Sequence, residues 1–247
     1  MRLDKYLANA NCGTRSEVKK MIRSGMVSLH TELIKNPNHI LSADEINMVY
    51  LNGQKIDAKS HLYYIIHKPD KYITALEDDH LPVIAACIPT DLLNKGIFPV
   101  GRLDYHTTGL LLLTTDGQLT HQLLNPNRHI PKKYLVNYSG ILLTQKEVSL
   151  FAAGLELKES GKPNTILRPA DLQINSDFEA LLTITEGKTH QVRRMFAAIN
   201  RPICKLHRVS FGNITLNGLS EGNIRELDEE EVHQLQQLVN FEKHAAP

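Results

Sequence analysis

Apolar residues recur at helical spacing as the chain opens: Leu3, Tyr6, Leu7 and Ala10. Gly13 breaks that pattern. Thr14, with Glu17 three residues on, then forms a capping box for a second helix. In this helix Val18, Met21 and Ile22 make one arc, and Arg15, Lys19, Lys20 and Arg23 fill the neighbouring arc. Gly25 stops it. Short strands are expected at 27–29 and 33–35, and a hairpin follows at 47–51 with Asn52-Gly53 as its turn.

After a polar stretch at 57–61 the pattern changes. Residues 62–66 read as a strand running into Lys68-Pro69, and 77–97 as a loop followed by a modestly amphipathic helix. The most distinctive stretch is 98–114: an apolar approach, a polar loop, then the run Leu110-Leu111-Leu112-Leu113. Asp116 is placed to cap a helix bearing Leu119 and Leu123. Residues 132–138 alternate like a strand with Tyr134, Val136 and Tyr138 on one face. A strand at 180–185 leads into a helix over 190–200, whose buried stripe is Val192, Met195, Phe196 and Ile199. Arg193 lies about 100° from Val192, at the stripe's edge, and Arg194 about 200° away, facing out. A strand follows at 203–211. Asp228 and Glu231 form an acidic capping box for a last helix carrying Val232, Leu235 and Leu238.

Length and composition narrow the classes. With 247 residues, 42% of them hydrophobic, the chain can build one large core or two unequal ones. Its net charge of +1 rules out a global polycation, so any nucleic-acid surface must be a local patch. Three scattered cysteines, Cys12, Cys87 and Cys204, argue against a disulfide framework or a zinc site and suit a reducing cytoplasm. The histidines form no metal-type motif. The start of the chain does not read as a signal peptide, and no apolar run reaches membrane-spanning length.

Gly101 and Gly109 bracket the polar loop, which fits a tight turn or a close backbone approach. Asp104 sits in the middle. A loop aspartate commonly just caps its own turn; one held between two buried flanks is also placed to act on a bound molecule. By its alternating apolar flanks Tyr134 reads first as a core strand tyrosine and only second as an aromatic platform. The basic side chains Arg15, Lys19, Arg23, Arg102, Lys133, Lys188, Arg194 and Arg208, with Lys68, Lys132 and Lys205, are either solvated surface or phosphate contacts.

The loop Gly101-Arg102-Leu103-Asp104, followed by Thr107-x-Gly109, the leucine run, Thr114, Asp116-Gly117, His121, Pro126 and Lys132-Lys133-Tyr134, resembles the catalytic motif of the bacterial ribosomal RNA pseudouridine synthases, in the branch of the small-subunit (16S) enzymes. Residues 1–7, 14–22 and the strand after Gly25 resemble an S4 RNA-binding domain, with His30-Thr31 where that family places Asn-Gly. The resemblance continues through Gly187–Arg194 to Leu219, Gly222, Arg225 and Leu227.

It implies an α+β fold. A small S4-like α/β domain over 1–58 and a linker at 59–61 precede a catalytic domain over 62–243, built on a mixed, mainly antiparallel sheet flanked by helices. It implies isomerisation of uridine to pseudouridine in 16S ribosomal RNA, free or in a small-subunit assembly intermediate. Asp104 would be the essential carboxylate, Arg193 its basic partner and Tyr134 the surface on which the base stacks. No cofactor or metal is required, and a cytoplasmic monomer away from membranes is expected. The alternatives are a 23S target, or an RNA-binding assembly factor with vestigial activity.

Overall fold

In the computed structural model the described residues are 2–10, 12–42, 44–56, 61–157 and 164–240. The expected linker at 59–61 lies outside them except for His61, as do Lys162 and Pro163. The chain divides into two compact units, Met1–Leu62 with Asn94–Ile97, and Tyr63–Leu93 with Phe98–Pro247.

The first unit contains α1 (Leu3–Asn9) and α2 (Arg15–Arg23) with β1 (Val27–Leu29), β2 (Glu32–Leu33), β3 (Val49–Leu51) and β4 (Gln54–Lys55). The strands form one sheet in the order β2-β1-β3-β4. The capping box of α2 is present, with Thr14 and Glu17 bonding each other's backbone N–H. The periodic apolar residues do form the core: Leu3, Tyr6, Leu7, Val18, Ile22, Val27, Leu41 and Val49 are all buried. That leaves Arg15, Lys20 and Arg23 exposed on α2, with Lys19 half-exposed 3.9 Å from Asp4. At the first hairpin turn His30 adopts φ 54°, the left-handed conformation that the family's Asn-Gly supplies with less strain.

The second unit is built on a nine-stranded sheet. Its elements are β5 (Tyr63–Lys68), α3 (Thr90–Asn94), β6 (Phe98–Pro99), β7 (Thr107–Thr114), α4 (Gly117–Leu124), β8 (Lys132–Tyr138), α5 (Gln145–Ala153), β9 (Glu156–Leu157), β10 (Thr165–Ile166), β11 (Asp171–Ser176), β12 (Glu179–Ile184), α6 (Gln191–Ala198), β13 (Ile203–Phe211), β14 (Ile214–Thr215), β15 (Ile224–Glu226) and α7 (Glu229–Asn240). β9 and β10 pair separately. The main path runs β11-β12-β8-β13-β7-β5-β15, with β14 on β13 and β6 on β7. Among the described strands of this sheet only the β13–β7 pairing is parallel.

β7 is central and nearly all of it is buried, which explains its continuous apolar run in place of alternation. Asp116 caps α4 by accepting from the N–H groups of Gln118 and Leu119. Asp228 and Glu231 bond each other's backbone N–H at the start of α7, and Arg225 holds Glu231 through two 2.7 Å hydrogen bonds. Val232, Leu235 and Leu238 then pack on the core of β5, β7 and α4.

The helix expected within 77–97 shrinks to a 3₁₀ turn at Ile84–Cys87 and the five-residue α3. Pro89 between them lacks the N–H that a continuous helix needs.

Candidate active site

The polar loop that carries Asp104 is pinned from several sides. The hydroxyl of Thr74 donates to the carbonyl of Leu103 at 2.9 Å and accepts from its N–H at 3.0 Å. The N–H of Thr107 closes a turn on the carbonyl of Asp104 at 3.0 Å. Lys68 is completely buried at the end of β5. Its ammonium donates to the carbonyls of Pro69 (2.9 Å), Thr107 (2.9 Å) and, more weakly, Tyr105 (3.4 Å). Burial pulls its pKa down to about 8, against the opposing pull of Asp70 and Asp104. Beyond the loop, Gly109 has φ +105°, and a Cβ there would stand 2.3 Å from the backbone oxygen of Arg208. Only glycine lets β13 approach β7 at this point.

Asp104 opens into a cavity of about 330 Å³ that Tyr134 also lines. Its carboxylate is one-third exposed, and an Oδ1 lies 3.6 Å from Nε2 of His190. Tyr134 is buried on β8, in register with Arg208 of β13. The alternation along β8 puts Tyr134, Val136 and Tyr138 on the inward face, as their spacing predicts.

Arg193 does not form the expected ion pair with Asp104. Its Nη2 donates at 2.8 Å to the carbonyl of His106, two residues further along the same loop. The helix phase brings it to the loop, but the nearest acceptor is backbone. Closer to the Asp104 carboxylate stands His190, the residue before α6 in the left-handed conformation at φ 49°, whose Nε2 forms an ion pair with it at 3.6 Å only when the ring is protonated. Arg194 does not face fully outward; it is half-buried and donates to the carbonyl of Thr189 at 3.3 Å.

The phosphate-contact candidates separate by burial. Arg15, Arg23, Arg102 and Lys188 are exposed, and Lys188 also lies 3.7 Å from Glu186. Lys19 and Lys133 are half-buried. Arg208 is no surface cation. It is 3% exposed, its Nε donates to the carbonyl of Leu110 at 2.7 Å, and its guanidinium lies over the Phe211 ring. As β13 runs through the middle of the sheet, its alternate residues point into the cavity wall, and Arg208 is one of them.

Sequence reasoning passed over Thr74, Thr107 and His190. His190 sits inside the recognised Gly187–Arg194 motif, so the signal was present. Thr74 carries none, since it meets Leu103 only through the tertiary fold.

Residues 1–47 match the S4 domain, and residues 62–198 match the family described as RNA pseudouridylate synthase. The fold, with its S4 module and cavity-bearing sheet, is therefore that of an RNA-modifying isomerase. The chain belongs to the RNA pseudouridylate synthase family. It is 36% identical to the ribosomal small subunit pseudouridine synthase A of Pasteurella multocida, over 94% of this chain and 98% of that one. It is 32% identical to the ribosomal large subunit pseudouridine synthase B of Bacillus subtilis, over 99% of each. A crystal structure of a pseudouridylate synthase superposes with a TM-score of 0.66 at 32% identity, covering 95% of this chain and 99% of that one. Among the described residues no helix is long and apolar enough to cross a membrane.

Proposed function

We propose that this enzyme converts a specific uridine of small-subunit (16S) ribosomal RNA to pseudouridine, with Asp104 as the acting carboxylate. Residues 1–58 anchor the RNA and residues 62–243 do the chemistry, in the cytoplasm and as a monomer. The observation that carries this reading is that Asp104 and Tyr134 line one cavity, about 330 Å³ in volume, which suits a single extruded nucleotide.

Asp104 comes from a loop whose backbone is fixed by Thr74, Lys68 and Arg193, so the carboxylate is positioned before RNA arrives. Tyr134 offers a face on which the flipped base stacks, worth roughly 1–3 kcal/mol. Arg193 serves by holding the loop at His106. The small-subunit target is supported by relatives named as small-subunit enzymes at 32–36% identity, beside a large-subunit enzyme at 32%.

The test is a map of pseudouridines in 16S and 23S RNA from cells with and without the gene. Loss of one 16S site, restored by the wild type and not by Asp104→Asn, is the expected result. A missing 23S site transfers the activity to the large subunit. Restoration by Asp104→Asn removes Asp104 from the chemistry.

A further inference from the structure

The cavity is lined by two cations from adjacent strands. Lys132 begins β8 and Arg208 lies on β13. They flank one aromatic ring: Lys132 Nζ lies 5.4 Å and Arg208 Cζ 5.5 Å from the centroid of Phe211. Both side chains line the cavity. Arg208 uses Nε on Leu110, but its buried Nη2 has no hydrogen-bond partner among the described residues. The Lys132 ammonium donates to the carbonyl of Ile130 at 3.0 Å and retains further N–H groups. Thr107 Oγ1, buried on the same cavity, is a second polar atom without a hydrogen-bond partner among the described residues.

An orphaned guanidinium N–H this deep is costly unless a ligand completes it. The nearby carboxylate does not. Glu186 Oε1 accepts from the backbone N–H of Arg168 and from the Gln191 amide, its Oε2 lies 3.7 Å from Lys188, and it forms no hydrogen bond to Arg208 among the described residues.

We propose that Lys132 and Arg208 stabilise the uracil anion that forms when the glycosidic bond of the target uridine breaks. This rests on the cavity at Asp104 being the site of reaction. In the isomerisation the N1–C1′ bond breaks and its electron pair leaves on the uracil. The base turns, C5 forms a bond to C1′, and the C5 proton is released as N1 takes one up. No oxidant, reductant or co-reactant is consumed. Between these events the negative charge is spread over the ring and its two carbonyl oxygens. A buried guanidinium and a half-buried ammonium on the same cavity favour that state over neutral uridine, which is how a fixed donor accelerates a reaction. The Thr107 hydroxyl is suited to meet the imide edge of the same ring. Burial first, and the charge of Arg208 second, draw the pKa of Lys132 down to about 8, against the opposing pull of Glu186. An incoming anion adds to that pull.

The experiment uses full-length enzyme and 16S and 23S transcripts made with [5-³H]uridine, following tritium release in a single turnover and RNA affinity separately. Arg208→Gln and Lys132→Met are each expected to slow release about a hundredfold, the usual effect of removing one donor to a developing anion, with RNA affinity unchanged. Lys132→Arg should recover most of the rate. Lys132 is only half-buried, so its variants carry the test if Arg208→Gln fails to fold. Release at the wild-type rate overturns the proposal. So does weakened affinity at an unchanged rate, which would put the pair on a phosphate. Asp104→Asn separates the two levels: full activity there sinks the site itself, whereas an inactive Asp104→Asn beside fully active Lys132→Met and Arg208→Gln sinks only the anion role.

Discussion

Arg15 and Arg23 on α2 stand in water, whereas in the second unit Lys68 and Arg208 have been drawn out of it and Lys132 in part. The residue types are alike, yet the surroundings give them different work. An exposed arginine keeps its hydration and loses little by waiting for a phosphate, so it contributes reach and salt-sensitive affinity. A buried ammonium or guanidinium has lost its water and must find acceptors in the protein or in a ligand. Lys68 finds three carbonyls around the Asp104 loop, so its charge serves geometry. Composition counts all five as basic residues; only the fold separates anchors from organisers.

The largest effect expected from breaking this contrast is at Lys68. Lys68→Met leaves the carbonyls of Pro69, Tyr105 and Thr107 without their shared donor, so the loop relaxes. Turnover is expected to fall about tenfold to a hundredfold, since small misplacements of a reacting group cost that much, while RNA affinity holds. Stability gives a second readout. The folded-state pKa of Lys68 is about 8, below the 10.5 of the free side chain. Between those values the unfolded chain binds more protons, so the wild type gains stability as pH rises from 8 towards 10.5, by no more than about 3 kcal/mol. Lys68→Met should lack that gain. Denaturant unfolding of both proteins at pH 7.5 and pH 10 (roughly the ends of the window) measures it, and parallel pH trends would show that Lys68 is not the buried charge described.

A smaller effect sharpens the contrast within α6. Arg193 is tied to the loop carbonyl of His106, and Arg194 to the carbonyl of Thr189. Arg193→Ala should lower turnover about tenfold through loosening of the loop, and Arg194→Ala less. Single-turnover rates at saturating RNA decide it. Equal rates would mean that the bond to His106 does not hold the loop.

Much of this arrangement was legible before the fold was known, and the parts that were not share a cause. The α2 capping box, the inward face of β8 and the Asp116 cap are local, and spacing alone fixes them. Asp104 and Tyr134 came from an extended motif. The errors lie where a side chain chooses between partners on different strands. Helix phase brought Arg193 to the right loop but did not tell a carboxylate from a carbonyl two residues away. Arg208 read as surface because a cation in a strand usually is. Its burial follows from the parallel seam of β13 with β7, which no short window reveals. The glycine at 109 was the one local trace of that seam, since it marks where two backbones nearly touch.

The smallest expected effect is on the exposed side of the comparison. Arg15→Gln with Arg23→Gln changes two residues whose loss leaves the core of the first unit intact, because that core is made by the opposite face of α2. If these arginines meet RNA phosphates, each loss releases one contact and flattens the dependence of log affinity on log salt by about 0.7–0.9. The double variant should therefore show a slope shallower by roughly 1.4–1.8 and weaker binding at low salt. Turnover at saturating RNA should be unchanged, because neither side chain contributes to the cavity at Asp104. Filter binding across a salt series, paired with single-turnover rates, tests both halves. An unchanged slope would remove α2 from the RNA interface. A slower turnover at saturation would show that cations in water also organise the chemistry, and the division between the two groups would fail.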